Sequence, residues 1–342
     1  MTVMERMSGG RFLLMGRAGM DFYADPPGAV AEHAASFVAH LGGSSANVAV
    51  ALARQGLRSA LLTTLSDDPV GRFCVNQLQR YGVATDHVRV VTGEARTSLA
   101  VAESRLADYQ CVIYRNDAAD FHIAVPDVEA VDFAAYDAFA FTGTALAAEP
   151  SRSAVFRAAE RARQSGIPVI MDLDYRAYSW SAPDLAARSC ARAAALCDMV
   201  VGNDEEFDVL AGGGDARGYD AARTLAATTA AIVIYKMGSR GSVTFHAGQI
   251  HRIGIYPVTA LKPVGAGDAF LGGVLAALAE QRPLDECVRR GSASAAIVVT
   301  RVGCAPAMPT AAELDAFLAD PAHRESGPDE AMAASLGSAI QD

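Results

Sequence analysis

The 342-residue chain is short of positive charge: 29 Lys and Arg stand against 39 Asp and Glu, a formal net charge of −10 at pH 7. That sign disfavours nucleic acid and anionic membrane as partners, and an anionic substrate then needs a local cluster of Arg, Lys and backbone N–H groups. No apolar run approaches the ~18 residues of a membrane span, and Met1 to Arg11 hold no apolar core of signal-peptide length. Six cysteines (Cys74, Cys111, Cys190, Cys197, Cys287, Cys304) are scattered without a C-x-x-C pair. That spacing excludes a zinc pattern and a disulfide framework and fits buried thiols of a reducing compartment, so a cytoplasmic location is expected. Internal repeats and low-complexity linkers are absent.

Two common glycine fingerprints are missing as well. The glycine turn before Asp268 is not followed by Lys and Ser/Thr, which excludes a P-loop. Phe270 stands where a dinucleotide fingerprint needs its third glycine, which argues against a nicotinamide dehydrogenase.

Strand-length apolar segments are present: Phe12–Met15, Ala60–Leu65, Ala138–Phe141, Pro168–Leu173, Met199–Val201 and Ala231–Tyr235. They alternate with helical patterns over Ser45–Gln55, Arg72–Tyr81, Arg152–Gln164, Leu185–Ala195, Glu205–Leu210, Ala221–Ala227, Ala269–Ala279 and Leu284–Thr300. Gly56, Gly82 and Gly166 sit where helices end on a left-handed residue. Thr310 and Glu313 spell a capping box for a last helix. The alternation predicts an α/β domain over 11–320, a mostly parallel sheet with helices on both faces. Two stretches, about 21–38 and 97–123, are strand-like without a helix between. They predict a small antiparallel β lid that excludes water from a site, or else an edge hairpin of the main sheet. The polar, Ala/Ser/Gly-rich 321–342 predicts a disordered tail.

The chemistry concentrates in Lys262-Pro263-Val264-Gly265-Ala266-Gly267-Asp268, where an apolar helix starts at once. Small residues there leave backbone N–H groups open in front of a helix N-terminus, a place that favours an anion. A carboxylate beside an anion makes sense if the anion is a phosphoryl group in transit and Asp268 takes the proton of the attacking hydroxyl. The plainer reading is an acid suited to the helix dipole.

Further constellations carry paired readings. Gly42-Gly43 with Asn47 opens a helix: a sugar-hydroxyl site, or a glycine turn with a serine cap. Asp21 follows the first strand, near the carboxyl ends where open sheets bind ligands, or is a surface acid. Asn203 and Glu206 suit Mg²⁺ and its waters, and equally a capping box. Lys236 through Gly238 and Gly241 walls a nucleotide site or makes an ordinary turn. Arg115 and the Asp172-Leu173-Asp174-Tyr175-Arg176 run offer guanidinium forks to a carboxylate or phosphate, or form structural Arg–Asp pairs.

Taken together these residues resemble the ribokinase-like (pfkB-type) carbohydrate kinases over about 11–318. Gly42-Gly43 with Asn47 matches the N-terminal signature, Asn203 with Glu206 the N-x-x-E motif, and Gly265-Ala266-Gly267-Asp268 the C-terminal signature. Within the family, words such as Gly16-Arg17-Ala18, Tyr114-Arg115-Asn116-Asp117 and Leu173-Asp174-Tyr175-Arg176 are similar to the branches acting on sugar acids. The resemblance implies a ribokinase-like fold and ATP- and Mg²⁺-dependent phosphorylation of a six-carbon keto-deoxy sugar acid. That acid is 5-dehydro-2-deoxygluconate, with 2-keto-3-deoxygluconate, or a neutral sugar as for a fructokinase or ribokinase, as the rival, and a non-catalytic sugar sensor as the rival of another class.

It also implies the roles. Asp268 is the general base, and the amides of Gly265, Ala266 and Gly267 form the anion hole. Asp21, Gly42, Gly43, Asn47 and Asp174 hold the sugar, and Arg115 or Arg176 its carboxylate. Asn203 and Glu206 serve Mg²⁺, through water, and the phosphates. Lys236, Gly238, Gly241, Ser292 and Ala296 border the nucleotide, and a homodimer forms through the lid. The chain departs from the family at Lys262-Pro263-Val264, where most relatives carry an Asp and two threonines. That Asp helps form a monovalent-cation site in relatives, so potassium activation is not expected here.

Overall fold

In chain order the strands are β1 (Arg11–Met15), β2 (Gly19–Asp25), β3 (Ser36–Gly42), β4 (Arg58–Ser66), β5 (Val88–Val91), β6 (Leu99–Ala102), β7 (Cys111–Tyr114), β8 (Ala138–Thr142), β9 (Val169–Asp172), β10 (Met199–Asn203), β11 (Ile232–Lys236), β12 (Ser242–His246) and β13 (Gln249–Ile253). The helices are α1 (Val3–Arg6), α2 (Ser44–Arg54), α3 (Pro69–Arg80), α4 (Val125–Glu129), α5 (Ser151–Gln164), α6 (Pro183–Ala194), α7 (Asp204–Leu210), α8 (Arg217–Thr228), α9 (Ala266–Ala279), α10 (Leu284–Val299) and α11 (Ala311–Ala319). The computed structural model describes residues 2–213 and 217–327.

The main sheet has the order β13-β12-β11-β10-β9-β8-β1-β4-β5. Every pairing from β11 to β5 is parallel, and β11–β12 and β12–β13 are antiparallel. Side chains alternate across it. Leu13, Met15, Phe139 and Phe141 enter one core with residues of α5, α6 and α8. Phe12, Leu14, Ile170 and Val201 enter the other with α2, α9 and α10. Both faces are thus covered, as parallel sheets require.

α9 is buried on every side, from Ala269 to Ala279. A Cβ on Gly272 would lie 2.4 Å from the Ala51 Cβ of α2, and one on Gly273 would lie 2.5 Å from Ser294 Oγ of α10. Glycine there lets three helices meet backbone to backbone, which fixes the start of α9 against α2. Among the described residues no helix is long and apolar enough to cross a membrane.

The second sheet, β3-β2-β6-β7, is the lid. Its outer pairs are antiparallel, while β2 and β6 at its centre run parallel. The first pair of lid strands reaches beyond the expected 21–38 at both ends, to Gly19 and Gly42, and the second pair, within Leu99–Tyr114, stops short of the expected 123. Ala118, Phe121 and Ile123 pack into the main core, because their apolar side chains sit with Phe141 and Leu146. Residues 321–327, expected to begin a disordered tail, are tied down. Ser326 N–H donates to the Ile255 carbonyl at 2.8 Å, Gly254 N–H donates to Glu325 Oε1 at 2.8 Å, and Arg289 pairs with Glu325. The rest of that stretch, 328–342, lies outside the described residues.

Candidate active site

The carboxyl ends of β1, β8, β9, β10 and β11 and the start of α9 converge under the lid on a cavity of about 1060 Å³. Five cationic side chains (Arg17, Arg115, Arg176, Lys236, Lys262) and five acidic ones (Asp21, Asp172, Asp174, Glu206, Asp268) line it. The cavity is therefore locally balanced in a chain of net charge −10.

At one wall α9 begins without a side-chain cap. Its first N–H groups have no intrahelical acceptor and point at the cavity. Gly265 is the left-handed residue of the turn, with φ +86°, and a Cβ on it would lie 2.9 Å from Cys304 Sγ. Gly267 is not left-handed; a Cβ there would meet only Lys236 Nζ at 3.5 Å. Ala266 and Gly267 thus keep the space before the helix open. Asp268 is half-buried, and Asn47 Nδ2 donates to its Oδ2 at 2.8 Å. Burial pushes the Asp268 carboxyl up to about 7, Asp174 and Asp172 adding to the rise and Asn47 and Arg176 opposing it. A carboxyl poised there accepts a proton near neutral pH.

Behind Asp268 lies a charged cluster. Lys236 Nζ stands 3.8 Å from Asp172 Oδ1. Arg176 stands 3.0 Å from Asp174 and 3.7 Å from Glu206 Oε1. Asp174 is a non-glycine residue at φ +35°, and Thr144 Oγ1 donates to it at 3.1 Å. Glu206 N–H donates to Asn203 Oδ1 at 2.8 Å and Asn203 N–H donates to Glu206 Oε2 at 2.7 Å, a complete capping box for α7. The capping reading of this pair therefore holds, and it leaves Glu206 Oε1 facing Arg176. Burial pushes the Glu206 carboxyl up to about 7, against Lys236 and with Asp172.

Among the described residues no three His, Cys, Asp or Glu are grouped to hold a metal directly. The acids present fit Mg²⁺ held by substrate phosphates and touched through water, the usual habit of that ion.

On the lid side, Asp21 is buried on β2 rather than in a surface turn. Its Oδ1 has no partner, and its carboxyl rests where a Cβ of Gly42 would stand, 2.0 Å from Oδ2. Gly43 has φ +98°, and a Cβ on it would lie 2.4 Å from the Arg17 carbonyl. These two glycines answer to Asp21 and to the chain after β1. Arg115 is held by Asp120, at 2.5 and 3.1 Å, and by the Thr144 carbonyl at 3.3 Å, and it lies 4.2 Å over the Phe121 ring. The Arg–Asp pairing foreseen as its plainer role is thus present, although the residue still borders the cavity.

At the far end the turn Gly238–Arg240 and Gly241 meet Ser292 and Ala296 of α10. Ser292 Oγ donates to the Gly254 carbonyl at 3.0 Å, so its hydroxyl is spent on the protein. Tyr256, Pro257 and Val258 complete a largely apolar slot suited to a base.

Lys262 and Arg17, neither expected to touch the sugar or the nucleotide, also line the cavity. Lys262 is wholly buried; its Nζ donates to the Val264 carbonyl at 2.6 Å and the Val298 carbonyl at 3.4 Å. Arg17 closes the lid side. In the sequence it stood only within the Gly16-Arg17-Ala18 word, just past the first strand.

A family model described as pfkB family carbohydrate kinase matches residues 11–311. Curated relatives include the 5-dehydro-2-deoxygluconokinases of Photobacterium profundum, 37% identical over 90% of this chain and 94% of that one, and of Geobacillus kaustophilus, 33% identical over 90% and 93%. Similar solved structures include fructokinase with bound ATP from Xylella fastidiosa (TM-score 0.79, 26% identity, 90% of this chain and 98% of that one). Another is a Vibrio cholerae fructokinase double mutant bound to fructose, ADP and potassium ion (TM-score 0.80, 27% identity, 91% and 99%).

Proposed function

Because the chain belongs to the pfkB family of carbohydrate kinases, we propose that it transfers the γ-phosphoryl group of ATP to the 6-hydroxyl of 5-dehydro-2-deoxygluconate. The observation that carries the chemistry is the Asp268 carboxyl, raised to about 7, beside the uncapped start of α9 and bonded to Asn47. A sensor on the same fold has no use for that arrangement. The names of the curated relatives support the choice of sugar acid, and the five cations of the cavity support an anionic substrate.

Asp268 takes the proton of the 6-hydroxyl as its oxygen attacks the γ-phosphorus, and ADP leaves. The N–H groups of Gly265, Ala266 and Gly267 meet the charge of the phosphoryl group in flight. Asp21 accepts from the sugar hydroxyls, with Gly42, Gly43, Asn47 and Asp174 around them. Lys236 and Arg176 face the phosphates, and the slot between Gly238, Gly241, Ser292 and Ala296 takes the nucleotide. Mg²⁺ neutralises the phosphate oxygens when bound, with Asn203 and Glu206 oriented toward its waters. The lid excludes water, which prevents hydrolysis of the donor. Its edge strands expose Phe37, Val38, Val112 and Tyr114, which supports a homodimer formed through the lid.

The test is product identity. Incubation with ATP, Mg²⁺ and 5-dehydro-2-deoxygluconate should give one phosphate monoester on the primary carbon per ADP, read by ³¹P NMR and mass spectrometry. ADP release without a phosphorylated sugar acid would contradict the assignment.

A further inference from the structure

We propose that Arg17 binds the carboxylate of the sugar acid and so sets the preference for acids over neutral sugars; this rests on the sugar-acid reading above. The argument starts from which cavity cations are already engaged. Arg115 is bonded to Asp120 and Arg176 is paired with Asp174 and Glu206. Lys236 stands by Asp172, and Lys262 is spent on two backbone carbonyls. Arg17 differs. Among the described residues its one side-chain hydrogen bond runs from Nη1 to Ser98 Oγ at 3.0 Å, and no carboxylate stands within ion-pair distance. Yet the residue is only 9% exposed and borders the cavity.

A guanidinium with no carboxylate in contact keeps N–H donors that a bound carboxylate can take up. Glycine at position 19 makes room for the guanidinium itself: a Cβ there would lie 2.8 Å from Arg17 Nη1 and 2.7 Å from Ser98 Oγ. Near it, Asp21 keeps an unpartnered Oδ1, an acceptor for a hydroxyl. A fork of N–H donors beside a hydroxyl acceptor suits one end of a polyhydroxy carboxylate, because a planar guanidinium binds a carboxylate through two parallel bonds. The hydroxyl to be phosphorylated then lies at the other end, with Asp268. Burial disfavours the Arg17 cation, and the charges of Asp21, Asp120 and Asp174, none of them in contact with it, offset that.

The experiment compares kcat/KM for 5-dehydro-2-deoxygluconate and its neutral C1 amide on wild type, Arg17→Met, Arg17→Lys and Arg115→Met. The wild type should prefer the acid. Arg17→Met should lower kcat/KM for the acid roughly ten- to a hundredfold, the size of a lost charge-assisted contact. The amide and the KM for ATP should change little, Arg17→Lys should recover part of the preference, and Arg115→Met should keep most of it.

A second measurement needs no variant. On wild type, modification of Arg17 by phenylglyoxal, mapped by peptide mass spectrometry, should be slowed by the acid but not by the amide. A wild type that prefers the acid, with a folded Arg17→Met variant that keeps the preference, overturns the role of Arg17 and leaves the sugar-acid reading standing. Protection of Arg115 by the acid, with the rate at Arg17 unchanged, does the same. A wild type indifferent between acid and amide overturns the sugar-acid reading itself.

Discussion

The side-chain amide of Asn47, in the first turns of α2, donates to Asp268 Oδ2 in the first turn of α9 at 2.8 Å. The bond joins the wall expected to hold the sugar to the group expected to deprotonate it. It also favours the ionised carboxylate, in opposition to burial. Asp268→Asn keeps the shape and removes the base. Its kcat should fall by about 10²–10⁴, with the KM for ATP nearly unchanged. Steady-state kinetics on the folded variant decide it, and near-normal turnover would remove Asp268 from the mechanism.

The pH dependence has a definite sign. Only ionised Asp268 accepts a proton, so kcat/KM should rise with pH through about 7. Asn47→Leu removes a donor to the ionised form and should move that limb to higher pH. Stability runs the other way. The folded pKa lies above the ~3.9 of an unfolded Asp, so the contribution of Asp268 is complete below that value and lost as pH rises through about 7. Asp268→Asn should therefore melt higher than wild type at pH 8, with the gap closing toward pH 4. Calorimetry at both pH values checks this; an equal gap at the two would contradict it.

The two glycines of the α9 turn should separate. Gly265 is at φ +86° and faces Cys304 Sγ, so Gly265→Ala should cost about 1–2 kcal/mol of stability as well as activity. Gly267 has neither constraint. Gly267→Val should melt near the wild-type temperature while losing turnover, since a branched side chain crowds the phosphoryl site. Melting curves and kcat on both variants test this; equal losses of melting temperature would make Gly267 a structural residue.

Lys262 places an ammonium on the carbonyls of Val264 and Val298 just before α9, in a wholly buried position. A fixed cation already serves those carbonyls, so potassium should leave the rate unchanged in buffer otherwise free of sodium and potassium. Lys262→Met should lower stability by about 1–3 kcal/mol by leaving the Val264 carbonyl without its donor. Strong potassium activation of the wild type would show that a cation site survives on other ligands.

What the sequence revealed was local. The Gly265-Ala266-Gly267-Asp268 turn, the Asn203–Glu206 box and the Thr310–Glu313 box each announce a helix start within a few residues, and all three stand where expected. The parallel strands other than β5, which Arg89 interrupts, were legible because each is a continuous apolar run. The β12–β13 hairpin was not, because His251 and Arg252 interrupt its pattern at the edge of the sheet. The parallel β2–β6 pairing depends on segments far apart in the chain. That Gly42 leaves room for the Asp21 carboxyl was not legible either, because the two are brought together only by the β2–β3 pairing. Arg17 stood out least, since what distinguishes it is the absence of a carboxylate partner, and only the folded cavity shows which arginines are engaged.

The most direct test of the central claim is a kinase assay of the wild type with ATP and Mg²⁺ across 5-dehydro-2-deoxygluconate, 2-keto-3-deoxygluconate, fructose and ribose. Coupled ADP detection gives kcat/KM for each. The account predicts the highest value for 5-dehydro-2-deoxygluconate and low values for both neutral sugars. A higher kcat/KM for fructose or ribose than for either acid would contradict it.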